Sequence, residues 1–199
     1  MKRLLALLLS LLMVCFAGCS QNNNDSSADT DIVSTAKTGK LDSVEFGLGA
    51  DVEQVKEHYS KLAEEYEKEH SSEDSHNHNN EVSAYYNLIK KDGYSVIDIA
   101  SARFYYLNDQ KEKGIAAVST DGEVFGFTPG VTMKYEVEEA TNVAGDTISG
   151  SEEEMKFLAV RTEPIVVLRY DFENIRLDFY FYDNVLISTV ILDTNIWEK

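Results

Sequence analysis

The sequence contains few cysteines, and both lie near its amino terminus. Of the 199 residues, only Cys15 and Cys19 are cysteines. A domain folded from the residues after Cys19 therefore has no disulfide bond, no thiol nucleophile and no cysteine-based metal site. Its stability must come from packing, and the remaining chain is long enough to bury a hydrophobic core.

Basic residues are also scarce. The chain has 18 Lys and Arg residues against 35 Asp and Glu residues, for a formal net charge of −17. Such a chain repels nucleic acid phosphates and anionic lipid headgroups, so we predict no nucleic acid partner and expect neutral or basic partners. The simpler explanation is a solvated acidic surface that keeps an exported protein soluble.

Catalytic motifs are absent as well. The sequence has no H-E-x-x-H, no G-x-S-x-G, no phosphate-binding glycine loop and no dinucleotide fingerprint. All four histidines lie between His58 and His78, so a Ser-His-Asp arrangement would need that segment to fold over the rest of the domain. We predict that the protein is not an enzyme. A carboxylate-based hydrolase stays open as an alternative, because acidic residues are abundant.

The amino terminus carries a targeting pattern. Lys2 and Arg3 precede an apolar run over residues 4–16, which is too short to span a bilayer as a stable helix and is typical of an export signal. The ending Ala17-Gly18-Cys19 resembles the lipobox of bacterial lipoproteins. That resemblance implies a signal peptide over residues 1–18 and a lipid on Cys19 that anchors the protein to the cell membrane, facing the extracytoplasmic side. An ordinary secretory signal is the alternative.

Residues 19–40 are polar and nearly free of aromatic side chains. A segment of this composition buries too little surface to order itself, so we predict a disordered tether.

The strongest fold signal lies in the last part of the chain. From Ile175 to Tyr182, apolar and polar residues alternate as in a half-buried strand, and a second such run covers residues 185–193. The Asp183-Asn184 step between them tolerates positive φ, so the two runs predict a tight antiparallel hairpin.

The remaining pattern divides into two units, over residues 41–121 and 122–199. The first has an amphipathic helix capped by Asp51, then a hydrophilic loop and a second helix. The second has a short strand and two helices. The predicted second helix of the first unit covers residues 82–91, and its strands cover 94–100, 102–107 and 115–120. The second unit has a strand at 123–127, helices at 132–141 and 151–159, and strands at 165–171, 175–182 and 185–193.

The two units resemble each other. Phe46-Gly47 has its counterpart in Phe125-Gly126, and residues 103–106 align with 178–181 at a spacing of about 75 residues. We predict an α+β fold of two tandem units, each a helix-loop-helix packed on an antiparallel β-meander.

This order of elements resembles the β-lactamase-inhibitory-protein-like (BLIP-like) fold found in bacterial lipoproteins. The resemblance implies a concave sheet surface that binds other proteins. Inhibitors of that family typically contain disulfides, which this chain lacks, so only the protein-binding surface is carried over as an expectation.

Two sets of residues are candidate sites. The first is a row on the expected open face of the sheet that suits protein recognition, because tyrosine offers a large rigid area with a polar tip; its members are Tyr105, Arg176, Asp178, Tyr180 and Tyr182. The alternative is that these side chains only stabilise the sheet by cross-strand pairing.

The second set is a histidine-rich segment. Imidazoles interspersed with carboxylates can bind zinc; the candidate ligands are His70, His76 and His78. The alternative is a solvated acidic loop. The sequence therefore predicts a lipid-anchored, extracytoplasmic, non-enzymatic protein-interaction module, with a metal- or small-ligand-binding lipoprotein as the alternative.

Overall fold

The computed structural model describes residues 32–70, 85–159 and 164–198. Cys19, His76 and His78 lie outside the described residues, as does the side chain of His70. The predicted signal peptide, the lipid site and most of the predicted metal site therefore stay predictions from the sequence.

The described chain is α+β, as predicted, and is built around an antiparallel sheet of eight strands in the order β1-β2-β3-β4-β8-β7-β6-β5. The strands are β1 (Tyr86–Lys90), β2 (Tyr94–Ile99), β3 (Ala102–Leu107), β4 (Ala117–Thr120), β5 (Asp146–Ser149), β6 (Ile165–Phe172), β7 (Ile175–Tyr182) and β8 (Val185–Asp193). Two four-stranded meanders thus meet at their last strands, β4 and β8, and form one continuous sheet.

The predicted hairpin is confirmed. Strands β7 and β8 have the predicted bounds, and Asp183 and Asn184 between them adopt φ values of 49° and 64°. Both turn residues are therefore in the left-handed region, which two-residue hairpin turns require and which Asp and Asn tolerate better than most residues.

Five α-helices and one short 3-10 helix (Lys111–Lys113) accompany the sheet in the described residues; the α-helices are α1 (Ile32–Lys37), α2 (Val52–His70), α3 (Lys134–Thr141), α4 (Glu152–Met155) and α5 (Thr194–Trp197). Helix α2 begins after Asp51, as predicted, because the Asp51 side chain accepts a hydrogen bond from the backbone N–H of Gln54 at 2.8 Å. Helix α4 is capped by the predicted Ser151 and Glu154 pair, but it ends at Met155.

Two predicted elements are wrong in kind. Residues 86–90 were expected to be helical but form strand β1. Leu88 pairs with Ile97 and packs against the core, and the backbone of β1 pairs with that of β2 along its whole length. The expected strand at 123–127 is a tight turn in which Val124 and Phe127 exchange backbone hydrogen bonds. Strand β5 was missed, since its residues are mostly exposed and show no buried face.

The predicted tether is too long by several residues. Ile32 and Ala36 of helix α1 are buried in the main core, so the folded part starts by residue 32 and not after residue 40. The short helix was missed because a segment of six residues with two buried positions carries little periodic signal.

The sheet is packed on both faces. The main core lies on the face covered by α1, α2 and α3 and includes Phe104, Phe179 and Phe181. The opposite face carries a second core in which Met155, Phe157 and Leu158 pack on Tyr105 and Tyr180. This second core determines where a functional site can lie.

Candidate functional site

The face of the sheet that was expected to be open is largely covered. Tyr105, Asp178 and Tyr180 are each at most 1% exposed, so the expectation of an exposed recognition row is wrong for them. The Arg176 side chain is also mostly buried. Of the five predicted residues, only Tyr182 is open to solvent, at 42% exposure.

Two short segments cover this face, namely residues 151–158 and helix α5; together they are the covering segments. The Tyr105 hydroxyl donates a hydrogen bond to the Phe157 carbonyl at 3.2 Å, and the rings of Tyr105 and Phe157 meet edge to face at 5.1 Å. The Trp197 ring of α5 contacts both, with centroids 6.0 Å and 5.1 Å away. Each aromatic pair stabilises the contact beyond the burial of its apolar area, so a shared aromatic cluster holds the covering segments on the sheet.

The burial of Tyr105 predicts a pH dependence of stability. Burial raises the pKa of the Tyr105 hydroxyl to about 12, and its hydrogen bond to Ser119 opposes the shift only in part. Because the unfolded chain loses this proton first, the stabilisation is complete below pH 10 and is lost as the pH rises toward 12. We expect about 2 kcal/mol of stability to be lost over this range through Tyr105 alone.

The measurement is urea unfolding from pH 8 to pH 12 on the wild type and on Tyr105→Phe. Tyr105→Phe should lower stability at pH 8, where its hydrogen bonds are lost, and should have a flatter pH profile above pH 10. Tyr182→Phe, at an exposed ring, is the control. Equal slopes in the wild type and Tyr105→Phe would contradict the prediction.

Under the covering segments, the sheet carries two ion-paired arginines. Arg169 donates to both carboxylate oxygens of Asp178, at 2.9 and 2.7 Å, and lies 3.5 Å from Glu154. Burial raises the pKa of the Asp178 carboxyl and the Arg169 guanidinium opposes that effect. Arg176 donates to Asp171 at 2.8 Å and pairs with Glu198 of the carboxyl terminus. Paired guanidiniums of this kind present further N–H groups to their surroundings.

These arginines line a cavity of about 100 Å³ between the covering segments and strands β6–β8. Tyr180 lies in its wall, and the hydroxyl of Tyr180 is buried without a hydrogen-bond partner among the described residues. Lys156 also lines the cavity, where its ammonium lies 4.7 Å from the Trp197 ring and pairs with Glu153. Burial lowers the pKa of Lys156 to about 8, against the opposing charge of Glu198. The cavity is thus lined by three cationic side chains, by four carboxylates and by Tyr180.

Exposed apolar side chains collect at another place, around the β7–β8 turn. Val131, Tyr135 and Tyr182 are 71%, 62% and 42% exposed, and we call them the tip patch. Their backbones are neighbours because Tyr182 pairs with Val185 and residue 133 bridges to the same valine. Sequence analysis predicted Tyr182 as a site residue but missed the other two, which fall in a segment expected only to begin a helix.

The histidine prediction is tested little by the described residues. His58 lies beside the apolar stripe of α2, where its Nε2 is 3.0 Å from a Glu45 carboxylate oxygen and its ring contacts Phe46. In the part of the chain that the structure describes, no group of three or more His, Cys, Asp and Glu side chains is arranged to hold a metal ion. Nor is any helix there long and apolar enough to cross a membrane.

Comparison with known proteins identifies one distant structural neighbour. A crystal structure of a DUF4309 family protein (YjgB) from Bacillus subtilis subsp. subtilis str. 168 aligns with a TM-score of 0.47 and 11% sequence identity, over 83% of this chain and 95% of that one. No family model and no curated protein matches the sequence.

Proposed function

We propose that this protein is a lipid-anchored, extracytoplasmic interaction module that binds a basic partner protein through the tip patch. The observation that carries the proposal is the exposure of two tyrosines and a valine on neighbouring backbone segments at the β7–β8 turn. Exposed aromatic rings provide rigid contact area with a polar tip, as in the central residues of protein interfaces.

The charge around the tip patch supports a basic partner. Asp183 lies in the turn, and Glu136, Glu138 and Glu139 lie on helix α3 with one basic residue, Lys134. The whole chain adds a net charge of −17, which attracts a cationic protein over the distance of the Debye length and repels an anionic one.

The anchor is proposed from the sequence. A lipid on Cys19 would hold the protein at the cell membrane, and the polar segment up to residue 31 would act as the tether. The folded unit would then be presented to partners at the cell surface without chemistry of its own.

We also propose that the sheet consists of two tandem copies of one unit, similar in arrangement to the BLIP-like fold. Equivalent pairings support this: Phe104 pairs with Ile97 as Phe179 pairs with Leu168, and each phenylalanine faces the main core. Ser119 of β4 pairs with Val190 of β8, and these two residues occupy equivalent positions in the two meanders. Equivalent residues pair with each other in this way when a two-fold axis relates two neighbouring strands.

The ion pairs of the two meanders support the same relation. Asp98 of β2 lies opposite Arg103 of β3, and Arg169 of β6 lies opposite Asp178 of β7, with the charges exchanged. The copies would differ in the connection between their first two strands, which is a short turn in the first meander and contains helix α4 in the second. The second meander alone would therefore carry covering residues in that connection.

The test is affinity capture from membranes and culture supernatant of the source cells, using a chain that starts at Ser20 so that α1 is retained. The variants are Tyr135→Ala/Tyr182→Ala and, as a control at an exposed site on α2, Leu62→Ala. We expect a basic protein whose affinity falls at least about tenfold in the double variant and decreases with added salt, because both the rings and the charge contribute. A partner retained equally by the double variant would overturn the proposal.

The lipid anchor is tested by a separate membrane-fractionation experiment. The full-length protein should fractionate with membranes, whereas full-length Cys19→Ala should not carry lipid and should lose that association. Membrane association that persists in Cys19→Ala without lipid would refute the anchor and leave the tip patch untouched.

A further inference from the structure

We propose that the cavity beneath the covering segments is a binding site for a small organic carboxylate. The proposal is independent of the tip patch and of protein binding. It depends on three features of the cavity. The first is the burial of its cationic side chains, the second is the Tyr180 hydroxyl, which has no partner among the described residues, and the third is the exposure of two carboxylates that pair with the cations.

The cations of the cavity are more buried than two of their acidic partners. The side chains of Lys156, Arg169 and Arg176 are only 14–17% exposed. By contrast, Glu153 and Glu198, which pair with Lys156 and Arg176, are 75% and 48% exposed. These two glutamates reach the cations from the solvent side and can turn back into water, so a ligand carboxylate can replace them at little cost.

The deeper carboxylates are already engaged by protein donors. Both oxygens of Asp178 accept hydrogen bonds from Arg169, and Glu154 is engaged by Ser151 and approached by the same guanidinium. The guanidinium of Arg169 is therefore already paired with Asp178 and close to Glu154. The donors left for a ligand are those of Arg176 and Lys156, because each side chain has more N–H groups than the hydrogen bonds it donates to Asp171, Glu198 and Glu153.

The Tyr180 hydroxyl supplies the second, independent observation. It is fully buried, lines the cavity and has no partner among the described residues. A buried hydroxyl without a partner is costly, and a ligand carboxylate oxygen in the cavity would accept a hydrogen bond from it. The neutral Tyr180 hydroxyl and the cationic side chains of Arg176 and Lys156 would then donate hydrogen bonds to one anion.

The size of the cavity limits the ligand. A volume of about 100 Å³ equals that of roughly three water molecules, which accommodates an acetate-sized group and excludes a bulky side chain. The apolar part of the wall, formed by Phe157, Leu192 and Trp197, suits the short carbon chain of such a ligand.

The structure offers its own reporter, because Trp197 is the only tryptophan of the chain. Titration of the full chain with sodium acetate should give a saturable change in tryptophan fluorescence, with a dissociation constant in the millimolar range. Sodium chloride at equal ionic strength and methylammonium chloride are the controls, and neither should give a saturable change.

Four variants distinguish the outcomes. Arg176→Gln and Tyr180→Phe should each weaken acetate binding, by about tenfold for the arginine. Glu198→Gln should strengthen it several-fold, because it removes the internal competitor. Arg103→Gln, at an arginine that is equally buried but ion-paired in the first meander with Asp98 and Asp121, should leave binding unchanged.

Tyr180→Phe keeps the proposal testable even where an arginine variant fails to fold, since it removes only an oxygen that has no hydrogen-bond partner among the described residues. Absence of a saturable acetate response, a response retained in Tyr180→Phe, or weaker binding in Glu198→Gln would overturn the proposal. Saturable binding of methylammonium would assign the cavity to cations and would also overturn it.

Discussion

Phe179→Ala should lower the free energy of unfolding by about 3–5 kcal/mol, the largest effect we expect from a single substitution outside the ion pairs. Phe179 is fully buried at the centre of β7, and its ring packs edge to face on Phe127 at 5.8 Å and on Tyr170 at 6.1 Å. Removal of the ring loses its transfer free energy and leaves a cavity that the rigid sheet cannot close.

The measurement is urea unfolding followed by far-ultraviolet circular dichroism at pH 7, with the m-value checked for constancy. Tyr182→Ala, three residues further along the same strand but exposed, is the matched control and should change stability by less than about 1 kcal/mol. A loss below about 1.5 kcal/mol for Phe179→Ala would show that the main core is not packed around this ring.

Asp178→Ala should destabilise the protein by about 3 kcal/mol, because it leaves the guanidinium of Arg169 buried with only a distant partner. The two side chains form a bidentate pair across β6 and β7, and Asp178 is almost completely buried. The remaining carboxylate, Glu154 at 3.5 Å, is shared with the cap of helix α4 and compensates only in part.

The double variant Arg169→Met/Asp178→Leu separates the cost of an unpaired charge from the net value of the pair. It should recover most of the stability lost in Asp178→Ala, because buried ion pairs are often replaceable by apolar residues of similar volume. Glu57→Ala, which breaks the exposed pair with Lys61, should change stability by less than about 0.5 kcal/mol. If Asp178→Ala behaved like Glu57→Ala, the Arg169–Asp178 pair would be solvated rather than buried.

The long strands were predictable from their local patterns: along β7, phenylalanines that face the main core alternate with the more polar side chains of Arg176, Asp178 and Tyr180, which lie under the covering segments. Strand β7 alternates over its eight residues, β8 is a nine-residue run rich in Val, Ile and Leu, and their turn contains two residues suited to positive φ. Strand β1 was not predictable in this way. Its five residues also satisfy a helical spacing, and only pairing with β2 decides between the two.

The candidate site was predicted in part. Sequence alternation correctly placed Arg176, Asp178 and Tyr180 on the face of β7 opposite Phe179. Whether that face is open depends on residues 151–158 and on the carboxyl-terminal helix, which contact Tyr105 from 52 residues away and further. Both covering helices have four residues, too few for a periodic signal.

The sequence by itself determined the acidic charge, the absence of cysteine chemistry after residue 19, the α+β class and the central hairpin, since each follows from composition or from local periodicity. Only the tertiary structure decided which face of the sheet is covered, that Arg169 is the partner of Asp178, and that Val131 and Tyr135 join Tyr182 in one exposed patch. These features depend on contacts between segments that are distant in sequence. The burial and ion pairing that stabilise those contacts cannot be predicted from a local sequence pattern.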